Sequence, residues 1–373
     1  MESWARLGYV AYLITKVAFR LITYLSRPQA AELKIPNAAG NCHAPQEYRE
    51  ALQKLEEDLN RLKIIDLSHS RHLIKTPNLH SSSLEKLILK GCSSLVEVHQ
   101  SIGHSMSLVF LNLEGCWSLK TLPESIGNVK SLETLNISGC SQLEKLPDGM
   151  GDMESLIELL ADGIENEQFL SSIGQLKYVR RLSLRGYSSA PPSSSLISAS
   201  VLNWKWWPPS FEWRSVNRLK LSYGSLSDRA TNCVDFSGLS SLKELDLSEN
   251  KFSSLSSGTG FLPKLGILIV SWCHNLVSIP DLPSSLDNLV ACGCKSLERI
   301  RITIESKKKL RINLYDCHSL EEIQGIEGLS DIFWKIEVFN RRHSPKKLQK
   351  SFVEVLFLSV SLTQEETHNW HIH

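Results

Sequence analysis

Apolar positions along the chain fall into one short frame that keeps returning. The segments LEKLILKGCSSL from Leu84, LVFLNLEGCWSL from Leu108 and LETLNISGCSQL from Leu132 all read L-x-x-L-x-L-x-x-C-x-x-L. The frame recurs at Leu62, Leu156, Val179, Val216, Leu242, Leu265, Leu286 and Lys309, most of the steps being of similar length. Within each frame the L-x-L pair alternates with period two, which predicts a short strand with its leucines on one face. One such strand cannot bury that face alone, but a stack of them in parallel closes a continuous core. The second half of each unit carries L-x-x-L-P, as at 119–123 and 143–147, and then runs through Ser-Ile-Gly to the next strand. Proline has no N–H to give to a sheet, so this half is predicted to be irregular.

A period of roughly 20–29 residues with Asn or Cys after the strand is the leucine-rich-repeat signature. The predicted fold is therefore an α/β repeat. It is a leucine-rich-repeat solenoid with a curved parallel sheet on the concave side, an irregular, short-helical convex side, and an N-terminal helical extension. Cys92, Cys116, Cys140, Cys273, Cys294 and Cys317 all fall in the same slot of their frames, and Asn250 takes that slot in the Leu242 repeat. Residues that keep the repeat period this strictly read as a buried structural ladder, not as metal or redox cysteines. The pair Cys292 and Cys294 makes a lone C-x-C, and Cys294 already belongs to the ladder.

The domain boundaries follow from where the period fails. Residues 62–325 form about eleven repeats, residues 1–61 precede them, and 326–373 read as an incomplete post-repeat β segment and tail. Residues 3–31 contain no acidic side chain. At about 100° per residue, Arg6, Lys16, Arg20 and Arg27 share one side of a helix, opposite Trp4, Leu7, Ala11, Ile14, Ala18, Leu21, Ile22 and Leu25. Such a helix covers the open end of the solenoid, lies on a membrane surface through residues 4–27 or serves as an organelle-targeting peptide. A second helix is predicted over 46–61, with Leu52, Leu55 and Leu59 at helical spacing. Residues 187–215 break the period as a long loop, Ser/Pro-rich first and then carrying Trp204, Trp206, Trp207 and Trp213. These tryptophans either anchor the loop against the convex side or offer a contact surface.

Composition narrows the function. The 373 residues are 42% hydrophobic and 22% charged, with a formal net charge of +1. No global field directs the chain to nucleic acid, and the basic stretch on the sheet covers too few repeats for a continuous basic face. No apolar stretch reaches the ~20 residues of a spanning helix, so the expectation is a soluble protein, cytoplasmic with nuclear or membrane-associated alternatives. There is no G-x-S-x-G elbow, no H-E-x-x-H and no phosphate-binding G-x-x-x-x-G-K-[ST]. An enzyme is not expected, nor is any cofactor or metal. His368, His371 and His373 read as a terminal tail.

The sheet face is where a solenoid binds. The residues between frame leucines place Glu114, Glu133, Glu158 and Asp162 in an acidic stretch, followed by Arg180, Arg181, Arg185, Arg218 and Lys220 in a basic one. Like charges at the same slot of successive strands repel, a cost that either a partner or solvent must relieve. Phe110 among the acidic repeats and Tyr315 near the end of the array are candidate anchors.

The phrases IDLSHS from Ile65, SLEKLILKGCSSLVEVHQSIG from Ser83, LNISGCSQLEKLPDGMG from Leu135, SIPDLPSSL from Ser278 and CKSLERIRI from Cys294 together make a narrower likeness. They resemble the repeat region of plant intracellular immune receptors of the Toll/interleukin-receptor, nucleotide-binding, leucine-rich-repeat class, truncated at both ends. The resemblance covers roughly residues 62–355. It implies that the repeats sense a pathogen effector, or a host protein that an effector modifies, and restrain a nucleotide-binding domain in cis or in trans. The alternative is a signalling scaffold or adaptor, or a decoy without a nucleotide switch of its own.

Overall fold

The computed structural model describes residues 62–76, 83–164, 166–186, 213–223, 238–255, 259–260, 262–302 and 310–324, and the backbone of a strand at 335–337. The predicted helices of 1–61 and the loop tryptophans Trp204, Trp206 and Trp207 lie outside the described residues. The chain divides into two compact units, Met1–Leu184 and Arg185–His373.

In the first unit each frame leucine pair produces one short strand. The strands Ile64–Asp66, Lys86–Ile88, Phe110–Asn112, Thr134–Asn136, Glu158–Leu160 and Arg181–Ser183 pair in chain order, all in parallel. The register runs Ile65, Leu87, Leu111, Leu135, Leu159, Leu182, so the central residue of every strand stacks on the same residue of the next. From Leu87 to Leu159 the step along the chain is the same each time. The leucines and their partners at the other frame positions are buried. In one repeat these are Leu108, Leu111, Leu113, Cys116, Leu119, Leu122, Ile126 and Val129. A repeat thus gives its whole apolar complement to a core shared with its neighbours.

Where a strand ends in Asn, the side chain turns back on the chain: Asn112 Oδ1 accepts from Glu114 N at 2.9 Å and Asn136 Oδ1 from Ser138 N at 3.0 Å. Beyond this turn the backbone becomes left-handed, at Gly91, Gly115, Gly139 and Gly163, with φ between 71° and 75°. Glycine enters that region without the Cβ clash other residues meet. The turn still hydrogen-bonds along the stack, since Gly91 N donates to Glu114 O at 2.6 Å and Gly115 N to Ser138 O at 2.8 Å.

Opposite the sheet, the Ser-Ile-Gly segments form short 3-10 helices at Gln100–His104 and Glu124–Asn128, and Gly-Met-Gly forms a third at Asp148–Asp152. Their Ile102, Ile126 and Met150 are buried in the core. Their glycines let successive turns approach closely: an ideal Cβ on Gly127 would lie 2.9 Å from the Gly149 carbonyl carbon. One repeat uses an α-helix instead, Glu167–Ile173, whose Asn166 cap accepts from Gln168 N at 2.8 Å and from Phe169 N at 3.5 Å.

The second unit repeats the plan with strands Arg218–Lys220, Glu244–Asp246, Ile267–Ile269, Asn288–Val290, Arg311–Asn313 and Lys335–Glu337, again parallel. The last of these extends the ladder beyond residue 325, where the sequence pattern placed the end of the repeats. Trp213, expected in the loop, is instead buried at 3% exposure and opens the first repeat of this unit. Its carbonyl accepts from Val216 N at 3.1 Å. A second parallel sheet, not anticipated from sequence, joins Ser278–Ile279, Arg299–Arg301 and Glu322–Gln324. The step from Leu268 to Leu289 is shorter than the steps of the first unit, and these shorter repeats span their second half in extended form.

Candidate functional site

Because each central strand residue points into the core, the residues on either side of it point out of the sheet. In the first unit one outward row reads Ile64, Lys86, Phe110, Thr134, Glu158, Arg181, each in register with the next. Phe110 is half-buried between Lys86 and Thr134. Backbone polar groups on this face are engaged in the ladder, so what the face offers a ligand is its side chains.

The charge pattern differs from two single-sign zones. Arg181 and Glu158 are in-register neighbours, with Nε to Oε1 and Nη2 to Oε2 both at 3.1 Å. Lys90 Nζ lies 3.0 Å from Glu114 Oε1, and Arg218 Nε lies 3.2 Å from Glu244 Oε2. Lys220 stands opposite Asp246 in the register. Asp162 accepts a 2.6 Å hydrogen bond from the Ser183 hydroxyl. Opposite charges on adjacent strands therefore offset the repulsion that the sequence pattern implied. Glu133 and Arg180 are exposed just before their strands, and Arg185 is half-buried at the start of the second unit.

The ladder residues sit beneath the turn that follows each strand. Each thiol donates to a carbonyl one repeat back: Cys92 to Leu67 at 3.1 Å, Cys116 to Leu89 at 3.2 Å, Cys140 to Leu113 at 3.2 Å, Cys273 to Leu247 at 3.3 Å, Cys294 to Val270 at 3.0 Å and Cys317 to Ala291 at 2.8 Å. Asn250 Nδ2 does the same to Leu221 O at 2.9 Å and also donates to Leu247 O at 2.8 Å. Burial raises the thiols of Cys116 and Cys273 to about 12, and pushes Cys140 upward from the same cause. A thiol so far from ionising is neither a nucleophile nor a ready metal ligand at neutral pH. Among the described residues no cluster of His, Cys, Asp and Glu is arranged to hold a metal ion.

Sequence reading missed one set of exposed residues. The left-handed slot before the ladder residue is not always glycine: Tyr223, Glu249, Trp272 and Asp316 occupy it with φ between 58° and 63°, as His69 does in the first unit. Tyr223 and Trp272 are exposed at 42% and 43%. The signal was present in the frame, since G-C gives way to W-C at Trp272 and D-C at Asp316. What could not be seen was that the backbone keeps the glycine conformation and turns the substituted side chain outward.

The stacked parallel strands, the buried Cys/Asn ladder and the short turns opposite define a leucine-rich-repeat protein. The family model described as Leucine Rich Repeat matches residues 131–153 and 241–262. Stretches of the repeats are similar to parts of plant disease resistance proteins. TMV resistance protein N of Nicotiana glutinosa is 37% identical over 106 residues, 28% of this chain and 9% of that protein. Disease resistance protein RPV1 of Vitis rotundifolia is 49% identical over 49 residues, 13% of this chain and 4% of that protein. Disease resistance-like protein DSC1 of Arabidopsis thaliana is 29% identical over 208 residues, 54% of this chain and 16% of its own length. The matches thus span a small part of each relative's length. Among solved structures, the leucine-rich-repeat domain of a type III effector covers 85% of this chain and 89% of its own at 16% identity, with a TM-score of 0.35. No helix among the described residues is long and apolar enough to cross a membrane.

Proposed function

We propose that this chain is a protein-recognition module of plant defence, binding a pathogen effector or an effector-modified host protein on the exposed sheet face. One observation carries the reading. The ladder satisfies its own backbone and core, and leaves row upon row of mixed apolar and charged side chains facing outward at fixed register. That is a surface suited to reading another protein. The likeness to disease resistance proteins supplies the biological setting. On this reading the chain works in the cytoplasm and couples to a nucleotide-binding domain, joined to it or met as a separate chain.

The test is affinity capture from infected and uninfected plant tissue with the full chain and with an Arg180→Glu, Phe110→Ala variant. The expected result is a pathogen-derived or infection-modified protein held by the native chain and lost with the variant. Recovery of the same host proteins regardless of infection, unaffected by the variant, would overturn the reading in favour of a constitutive adaptor.

A further inference from the structure

The second unit carries a row of exposed aromatic side chains on the turns that follow its strands. Tyr223, Trp272 and Tyr315 are exposed at 42%, 43% and 42%. Each comes two strands after the one before, because their strands are Arg218–Lys220, Ile267–Ile269 and Arg311–Asn313, with one strand between each pair. At about 4.8 Å between neighbouring strands, the strands that bear them recur roughly every 10 Å along the array; Tyr223 and Trp272 share one turn slot, and Tyr315 stands one place earlier in its own.

They are held in place. Trp272 is left-handed at φ 60°, which aims its indole along the stack onto the next repeat. An ideal Cβ on Gly293 would stand 2.5 Å from Trp272 Cε3, so the indole lies on the bare glycine and any larger residue there would displace it. His274 braces the indole edge-on, with ring centroids 6.2 Å apart and planes at 81°. Tyr223 bonds to the Glu249 carboxylate, which raises the phenol's pKa. Tyr315 N donates to Asn313 Oδ1 at 3.2 Å, and its carbonyl accepts from Gly293 N at 2.7 Å. These last two bonds hold the Tyr315 backbone; an indole packed in place before binding, as that of Trp272 is, loses little conformational entropy on contact.

The turns that carry the row are acidic, with Arg185 at the Tyr223 end. Ser222, Ser248, Ser271, Cys292 and Tyr315 stand three places past the central strand leucines of this unit and its Ile312; Tyr223, Glu249, Trp272, Gly293 and Asp316 stand four places past. These positions hold two carboxylates, Glu249 and Asp316, and no lysine or arginine.

We infer that this aromatic row docks a proline-rich, basic peptide segment of a partner protein in the polyproline II conformation. That helix repeats every three residues at about 3.1 Å each, close to about 9.3 Å per turn, and so presents one pyrrolidine face per aromatic interval. Aromatic rows read such peptides because the helix is already ordered and its proline rings pack flat on aromatic faces. The indole N–H is a donor for a peptide carbonyl, which proline-rich chains present without competing N–H groups. Glu249, beside the Tyr223 phenol, and Asp316, 2.7 Å from His318 Nε2, are the carboxylates that would meet arginine or lysine between the prolines. The inference rests on the recognition reading above and specifies one class of partner and where on the array it binds.

The experiment is titration calorimetry of the full chain with two synthetic peptides, four repeats of Arg-Pro-Pro and four repeats of Arg-Gly-Ser. The proline peptide should bind saturably and the charge-matched control about tenfold more weakly or worse. Trp272→Ala and Tyr315→Ala should each cost about tenfold in affinity, the scale of an interface anchor, while Trp272→Phe recovers part of the loss. Circular dichroism checks that each variant stays folded. Equal binding of the two peptides would reduce the site to charge attraction and overturn the inference. So would no binding of either, or a concentration-dependent dimer abolished by Trp272→Ala, which would assign the row to a second copy of the chain. If the peptides fail while the native chain still captures an infection-dependent partner through Arg180 and Phe110, the inference falls and the recognition reading stands.

Discussion

At the scale of single residues, the ladder cysteines show how a repeat tunes one atom. Each sulfur fills a buried slot and gives one weak hydrogen bond to the repeat behind it, and Asn250 gives two stronger ones from the same place. The buried thiols have a consequence for pH. Cys116 and Cys273 rise from an ordinary 9.0 to about 12, mainly through desolvation. Below pH 9 folded and unfolded chains both hold these protons, and stability is unaffected. Between about 9 and 12 the unfolded chain has lost a proton that the folded chain keeps. Stability must then fall as pH rises, by up to about 1.4 kcal/mol per pH unit for each thiol. Urea midpoints measured at about pH 8 and about pH 10.5 should fall more steeply for the native chain than for the Cys116→Ala, Cys273→Ala double variant. Equal slopes would show that other groups carry the alkaline loss. At about pH 8 the same variant should already be weaker by about 1–2 kcal/mol per site, from the lost packing and hydrogen bond.

At the scale of elements, the parallel register decides which side chains meet. Arg181 faces Glu158 because both occupy the same slot of adjacent strands. Arg181 is 45% exposed at its side chain, so the pair belongs with surface ion pairs worth at most about 1 kcal/mol. Arg181→Glu should lower the unfolding free energy by about that amount, because it also sets two carboxylates opposite each other. Adding Glu158→Arg to the same chain should return most of the loss. A double-mutant cycle in urea that proves additive would show that the two side chains do not interact in solution.

For the molecule as a whole, stability is a sum over stacked neighbours. Leu135 is fully buried in the strand Thr134–Asn136, with Leu111 on one side and Leu159 on the other. Leu135→Ala should cost about 2–5 kcal/mol through the cavity it leaves. Because each repeat contacts only its neighbours, the effect should spread along the stack from the site. Hydrogen exchange read by mass spectrometry should show the amides of Phe110–Asn112 and Glu158–Leu160 losing protection, and those of Ile64–Asp66 losing much less. Uniform loss across the first unit would mean that it opens as a single body.

The repeat frame by itself determined the strands, their parallel order, the inward leucines and the ladder slot, because all of these follow from local spacing. Leucines at alternate positions of a strand must share a face, and a unit that returns at constant spacing can only stack on itself. The glycine-substituted slots were also visible as W-C and D-C in place of G-C. What they mean depended on the left-handed backbone that neighbouring repeats impose on Trp272 and Asp316. The tertiary structure alone decided the charge pairing of Glu158 with Arg181, since a pairwise distance across strands is not a property of either segment. It also decided the burial of Trp213, the second sheet at Ser278–Ile279, and the seating of Trp272 on Gly293. Each of these arises from contact between repeats, where side chains distant in sequence compete for the same space.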